Sequence, residues 1–304
     1  MQPEVSHEIE SLIDQYCLAS DLNVLLKSFV QEKVIEMSIW SELTCTTHLM
    51  LGGTSPQLHR IAALTELMLL SFDMIDDLQD QDNLVKPWMI CPQKYTLNAI
   101  LILLMAFIGE LGSLHPKAAK EVGALLASAI AGQQKDLNDF VQTEADYIAM
   151  IEQKSGTMLR FVCYMGYSLI GDLDSEIAAQ VDEFANYIGV IAQLRNDLKD
   201  VIRYDIKNDL LQKKRTLPIL FLLQESEAEF PPLYQFYAGA ISEAEFLLSK
   251  KAGIQYIEDS GCIEYTEIIM ALYKEKAEEL FEFIPTALPW KDRFRELTLG
   301  KYSK

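Results

Sequence analysis

Asp76-Asp77-Leu78-Gln79-Asp80 closes an apolar run that begins near Ile61. On a helix, Asp76 and Asp80 lie one turn apart with Asp77 projecting between them, and Asp73 shares the face. Carboxylates packed this closely repel one another, so the face is costly unless a cation sits on it. Hard divalent ions such as Mg2+ take oxygen ligands from one or two carboxylates and complete their shell with substrate phosphates. Asn196-Asp197-Leu198-Lys199-Asp200 repeats the pattern far along the chain. Either turn alone reads equally well as solvated acidic surface. The segment ahead of the first, with Leu67, Leu69, Leu70, Phe72, Met74 and Ile75, weighs against that reading. Two such turns in one helical chain suggest carboxylates facing each other around a diphosphate and its metals.

The elements that must position these residues are helices. The chain has 304 residues, half of them hydrophobic, enough to bury a sizeable core. Its apolar periodicity is helical rather than alternating almost throughout. Ile9, Leu12, Ile13 and Tyr16 open an amphipathic stretch that continues through Leu25, Leu26 and Phe29. The next helix is expected to end at Gly52-Gly53, where glycine suits a left-handed stop. Pro56 then precedes the long helix carrying the first acidic turn, and Pro87 and Pro92 bracket a loop with Trp88. The apolar run Leu97–Ile108 is expected to be buried on most faces and is too short to span a bilayer. A helix after His115-Pro116 runs to about Asp139. Thr143, followed by Glu144 and Asp146, reads as an N-cap with acids in the first turn. The helix it starts holds Lys154 and is expected to stop near Gly171-Asp172. Another begins around Asp174-Ser175 and carries the second acidic turn. A polar, lysine-rich loop spans Arg203 to Arg215, and Thr216-Leu217-Pro218 reopens a helix. Pro231-Pro232, Gly253 and Gly261 separate shorter helices. The expectation is one all-α domain over residues 1–304.

Charge narrows the partners. A formal net charge of −19 argues against nucleic acid and against adsorption to an anionic membrane. Five cysteines (Cys17, Cys45, Cys91, Cys163, Cys262) lack metal-ligand spacing and read as buried free thiols. The first residues, MQPEVSHEIE, are acidic and lack the apolar core of a secretory leader. A cytoplasmic protein with no transmembrane segment is expected.

The stretch from Gly52 through Asp80, with Glu66 ahead of the acidic turn, resembles the trans-isoprenyl diphosphate synthases. Further matches follow in the family's order. They are Gly132-Gln133 with Asp136-Leu137, then Tyr147 with Lys154-Ser155-Gly156. Tyr187, Gly189 and Gln193 lead into Asn196-Asp197 and Asp200, and Lys214 precedes Thr216-Leu217-Pro218. The resemblance covers roughly Gly52 to Pro218. It implies an isoprenoid-synthase helical bundle around a deep central apolar cavity, with three Mg2+ ions bridging both acidic motifs to an allylic isoprenyl diphosphate. By that resemblance the metal ligands are Asp76, Asp77, Asp80, Asn196, Asp197 and Asp200, with Asp77 as ligand or support. Lys154 and Lys214 hold diphosphate oxygens, Gln193 lies near the reacting carbons, and Phe72 limits the tail. Ionising an allylic C–O bond needs stabilisation of the charge developing on pyrophosphate, and an apolar pocket keeps water from the cation. A homodimer is compatible with the resemblance.

Departures from the family pattern bear on the acceptor. Chain-elongating members hold isopentenyl diphosphate through basic residues upstream of the Gly-Gly turn and shortly after the first acidic motif. Here the first stretch is Ile35-Glu36-Met37-Ser38-Ile39-Trp40-Ser41, with no basic residue, and the second is Leu84-Val85-Lys86-Pro87, with one. The acceptor is therefore expected not to be a diphosphate. That pattern, with Met74-Ile75 leading into the acidic turn, resembles the ComQ-type prenyltransferases of bacterial quorum sensing. The resemblance implies transfer of a geranyl or farnesyl group to a tryptophan of a precursor pheromone peptide. Three alternatives stay open: a chain-elongating synthase with relocated acceptor contacts, a terpene cyclase, and a non-catalytic partner subunit. Cyclases carry a longer second motif ending in glutamate, where this chain has Tyr204. Both acidic turns and both lysines are retained, which counts against a non-catalytic role.

Overall fold

Every residue from Ile61 to Ser71 is buried, a pattern open only to a helix surrounded by others. In the computed structural model, which describes residues 1–81, 83–138, 140–202, 209–285 and 287–302, that helix is α4 (Leu58–Asp80). It follows α1 (Pro3–Tyr16), α2 (Ser20–Ile35) and α3 (Trp40–Met50). After it come the short α5 (Pro87–Ile90), α6 (Gln93–Leu114) and α7 (Ala119–Leu137). The chain continues through α8 (Glu144–Ile151), a π-helical turn (Glu152–Gly156), α9 (Thr157–Tyr167) and α10 (Ser175–Ile202). The remaining helices are α11 (Leu217–Glu229), α12 (Pro231–Tyr237), α13 (Glu243–Leu247), α14 (Lys250–Asp259), α15 (Cys262–Phe283) and α16 (Trp290–Leu297). Among the described residues there is no strand, and the fold class is all-α as expected.

Contacts gather the chain into two compact units. The first comprises Met1–Leu125, Arg160–Asp182 and Ile284–Ser303. Within it α4 packs against α1, α3 and α6, and α16 lies on α3. The Gly-Gly turn after α3 follows from steric need. Gly52 is left-handed (φ +79°), and a methyl on Gly53 would stand 2.3 Å from the His48 ring. That buried imidazole accepts from the Ser55 backbone N–H at 2.9 Å, so its other nitrogen carries the hydrogen donated to the Gly166 carbonyl at 3.0 Å. The second unit comprises Leu126–Leu159 and Glu183–Phe283. There α11 packs against α8, α12 and α15, and an apolar cluster forms from Tyr147, Met150, Ile151, Val190, Leu194 and Leu217.

Several boundaries differ from the sequence expectation. The stretch from Ile9 to Phe29 is two helices, because Cys17 and Ala19 take extended backbone between them. Thr143 is the expected N-cap and forms a reciprocal capping box with Asp146. The helix it starts passes through the π-turn and ends at Tyr167, earlier than expected. Gly253 lies inside α14 rather than between helices. Cys91 is partly exposed, whereas the other four thiols are buried. The largest correction concerns α6. It spans 22 residues, long and apolar enough by length and composition to cross a membrane, with 33% of its most apolar stretch buried. Its Leu97, Leu101, Met105 and Ile108 face is exposed, not buried. Its opposite face holds Glu110, which accepts from Arg60, Tyr16 and Gln15 at 3.0 Å each. Asp139 and the segment Arg203 to Asn208, including Tyr204, lie outside the described residues.

Candidate active-site residues

In the first unit the acidic motif forms the last turn of α4, which a left-handed Gln81 (φ 53°) ends. A helix C-terminus carries partial negative charge, and no basic residue stands in this last turn. Asp76, Asp77 and Asp80 thus sit against the helix dipole as well as against one another, which favours a cation there. Asp76 and Asp80 are half-buried on one face. Asp77 is buried. One of its oxygens accepts from the Asn83 amide at 2.5 Å and the other from the Trp88 indole N–H at 2.7 Å. Trp88 is fully buried and meets the Phe29 ring edge-on, with centroids 5.9 Å apart. Asp77 therefore ties the loop after α4 to the helix. Phe72 is half-buried one turn before Asp76. Glu66 is buried and accepts from the Ser38 hydroxyl and the Ser41 backbone N–H at 2.9 Å, an anion at the N-terminus of α3.

The two stretches without the family's basic residues meet in this unit. Lys33 at the end of α2 bonds Asp73 at 2.7 Å and Glu36 at 2.6 Å. Lys86 bonds Glu32 at 3.1 Å and also Glu36. The result is an alternating chain, Asp73–Lys33–Glu36–Lys86–Glu32, in which both lysines are held by carboxylates.

In the second unit three glycines bring backbones into contact. A methyl on Gly189 of α10 would stand 2.5 Å from the Ser155 carbonyl oxygen and 2.6 Å from Gly156 Cα. One on Gly132 of α7 would stand 2.5 Å from the Lys154 backbone nitrogen. The π-turn is thereby clasped from two sides. Such turns are short departures from α-helix that recur at functional sites, and this one carries Lys154 and Ser155. The Lys154 ammonium bonds Asp136 at 2.7 Å. The Ser155 hydroxyl donates to the Gln193 side chain at 2.7 Å. Gln193 in turn donates to Asp197 at 2.7 Å, and the Tyr147 hydroxyl donates to the other Asp197 oxygen. Asp197 and Tyr147 are buried, Asp200 is half-buried, and Asn196 is exposed. Asp197 and Asp200 occupy the closing turns of α10, again at a negative helix end.

Charge is concentrated here. Burial pushes the Asp197 carboxyl up, against the bonds from Tyr147 and Gln193, and Asp136 adds to the rise. Asp209 is also buried, and burial and then Asp197 push it up while Lys214 opposes. Burial would raise Asp136 as well, but Lys154 and Lys214 hold it below the ordinary carboxylate value. The Thr216 hydroxyl, two residues from Lys214, is buried with no hydrogen-bond partner among the described residues. Asp209 escaped the sequence reading because it stands in what looked like a polar loop, five residues before Lys214. Among the described residues no three Asp, Glu, His or Cys side chains already converge on a closed cation site. At each helix end, taken by itself, the side chains offer carboxylate oxygens, the ligand type that hard divalent ions take.

Residues 41–247 match the polyprenyl synthetase family. The chain is 28% identical over 284 residues to the tryptophan prenyltransferase ComQ of Bacillus subtilis subsp. natto, covering 91% of this chain and 86% of that protein. It is 26% identical over 299 residues to the enzyme of that name in Bacillus subtilis strain 168, covering 97% and 98%. A geranylgeranyl pyrophosphate synthase from Lactobacillus brevis shares the fold at a TM-score of 0.82 and 15% identity, over 99% of this chain and 96% of that one. A polyprenyl synthase from Caulobacter crescentus, solved with calcium and isoprenyl diphosphate, does so at 0.77 and 18%, over 99% and 93%. The family match spans more than half of the sequence and takes in both acidic segments, and this chain belongs to the polyprenyl synthetase family.

Proposed function

We propose that the protein transfers a geranyl or farnesyl group from its diphosphate to a tryptophan side chain of a peptide. The observation that carries this reading is the alternating ion-pair chain at Lys33 and Lys86. Where an elongating enzyme needs cations for a second diphosphate, these lysines are already neutralised by Asp73, Glu36 and Glu32. Holding another polyanion there would mean desolvating charge without a partner. An indole needs no charged anchor. Similarity to the Bacillus tryptophan prenyltransferases over most of both chains supports the same acceptor.

In this reading Asp76 and Asp80 of the first unit hold Mg2+, with Asp77 in support. Asn196, Asp197 and Asp200 do so in the second. Asp77 accepts from Asn83 and Trp88, and Asp197 from Tyr147 and Gln193, bonds that fix how each carboxylate is presented. Bound Mg2+ would stabilise the charge that develops on pyrophosphate as the allylic C–O bond breaks. Lys154 and Lys214 bind diphosphate oxygens as point charges, Lys154 being oriented by Asp136. Gln193, fixed between Ser155 and Asp197, presents a rigid polar edge near the allylic carbon, and Phe72 bounds the tail. An indole ring carbon bonds to the allylic carbon, and the ring proton leaves to the released pyrophosphate. The site of action is cytoplasmic.

Mass spectrometry tests the reading. The protein is incubated with geranyl or farnesyl diphosphate and Mg2+, together with isopentenyl diphosphate, a tryptophan-containing peptide, or that peptide with Trp replaced by Ala. Only the tryptophan peptide should gain the mass of one isoprenoid tail. Condensation of isopentenyl diphosphate into a longer chain, with no peptide labelled, would establish chain elongation instead.

A further inference from the structure

The Lys86–Glu36 ion pair fixes the loop after α4 against the end of α2, and the residues beside it are exposed and apolar. Val85 precedes Lys86 and is 83% exposed, with Leu84 at 66% before it. Ile35 and Met37 flank Glu36 at 67% and 80%. Such side chains brought together by one ion pair form a patch rather than scattered surface residues. Its base is rigid, since Trp88 bonds Asp77 and packs on Phe29. Asn83 also bonds Asp77, so the patch is tethered through one carboxylate to the first acidic turn. Its rim is the Asp73–Lys33–Glu36–Lys86–Glu32 chain, three carboxylates against two lysines, acidic at both ends.

We propose that this surface docks the acceptor peptide, and that it takes an apolar peptide segment bordered by a basic residue. The proposal rests on the peptide-acceptor reading above and gives that peptide a place and a chemistry. Apolar side chains of the peptide would cover Ile35, Met37, Leu84 and Val85, and its cation would meet the unbalanced carboxylate of the rim. Charge separates this occupant from the others. A second copy docking face to face would bring two identical acidic rims together, each on a chain of net charge −19. An anionic lipid surface meets the same repulsion.

The test uses the full chain, farnesyl diphosphate, Mg2+ and two synthetic peptides. Each peptide carries one tryptophan and a Leu-Val-Leu run, and they differ only in a lysine or a glutamate beside that run. Wild type should show a KM about tenfold lower for the lysine peptide. In Val85→Lys, on an exposed loop where substitution is well tolerated, the preference should shrink or reverse. The KM for farnesyl diphosphate should stay within about twofold, as complementary charge at a docking face acts on the partner alone. Ile35→Ser should raise the KM of both peptides by roughly fivefold, for loss of buried apolar area. If both peptides are prenylated and Val85→Lys leaves their KM ratio unchanged, the docking face is wrong and peptide prenylation stands. If no tryptophan peptide is prenylated by wild type, the functional reading itself fails. Sedimentation covers the remaining outcome: a dimer dissociated by Val85→Lys with peptide KM unchanged would make this an interface between copies.

Discussion

At the scale of single residues, the acidic side chains divide by what holds them. Asp77 and Asp197 are buried and engaged at both oxygens by neutral donors, whereas Asp76, Asp80 and Asp200 are only half-buried. This division was not legible in the sequence, where all the aspartates of a motif look alike. Which of them folds inward depends on Asn83, Trp88, Tyr147 and Gln193, and three of those four come from other elements. Tyr147 illustrates the consequence. It is fully buried, and burial and then Asp197 push its hydroxyl well above the ordinary tyrosine value, so it remains a donor. Tyr147→Phe keeps the ring and removes that donor. It should lower unfolding stability by about 1–3 kcal/mol, the cost of leaving a buried acceptor short of a partner. Urea titration with unchanged far-UV circular dichroism would measure it. Wild-type stability in the variant would mean that the Tyr147–Asp197 bond contributes nothing. His48 supplies a pH dependence remote from the acidic motifs. Burial holds its imidazole below the ordinary value of 6.5, although the Gly166 carbonyl opposes. A depressed folded-state value means the neutral ring is the native form, so its stability contribution is intact above pH 6.5 and is lost as pH falls below it. A proton on the nitrogen that accepts from Ser55 would set two donors against each other. Thermal melts between pH 8 and pH 5 should therefore show a decline that His48→Gln flattens.

At the scale of elements, capping chemistry was legible and irregular backbone was not. Thr143 with Asp146 announces one helix start through a reciprocal cap, and Pro218 marks another in the first turn of α11, where Thr216 makes no side-chain cap bond. The π-turn at Glu152–Gly156 has no such signature, since it inserts into an apolar period that continues on both sides. Its cause lies in other helices. Gly132 and Gly189 admit the backbone of the turn at distances no side chain would allow. The sequence matches at Gly132, Gly156 and Gly189 thus mark one packing arrangement seen from three segments. Gly189→Ala should be costly because its methyl would meet the Ser155 oxygen and the Gly156 backbone, neither of which can swing aside. The expected loss is about 1–3 kcal/mol, together with a raised KM for the allylic diphosphate as Lys154 and Ser155 shift. Gly123→Ala, at a glycine of α7 with nothing near its added methyl, serves as the control and should be neutral or stabilising. Equal melting temperatures for the two variants would remove the glycines from the account.

For the whole molecule, helical periodicity announced the fold class and the family's order of motifs announced the chemistry. The exposed face of α6 was hidden, because an apolar run does not reveal which of its sides has neighbours. The excess of acid is also a whole-molecule property, with 45 Asp and Glu against 26 Lys and Arg. Part of it stands at the C-terminal ends of α4 and α10, where repulsion between carboxylates adds to the helix dipole. General screening and specific metal binding both relieve such repulsion, and they can be told apart. Sodium chloride reduces the self-repulsion of the chain according to ionic strength alone. Mg2+ bound by the native carboxylates would add a linkage contribution of about 1.4 kcal/mol at ten times its dissociation constant, a rise of roughly 2 °C in melting temperature for a chain of this size. Melting in MgCl2 should therefore exceed melting in NaCl of equal ionic strength. Asp80→Asn and Asp200→Asn should each diminish that excess, and a variant at an acid placed away from both motifs, Glu225→Gln on α11, should leave it intact. Turnover should fall about 100-fold or more in Asp80→Asn, as expected when charge stabilisation in the transition state is lost. Identical melting in the two salts, with full turnover in Asp80→Asn, would show that these helix ends bind no metal.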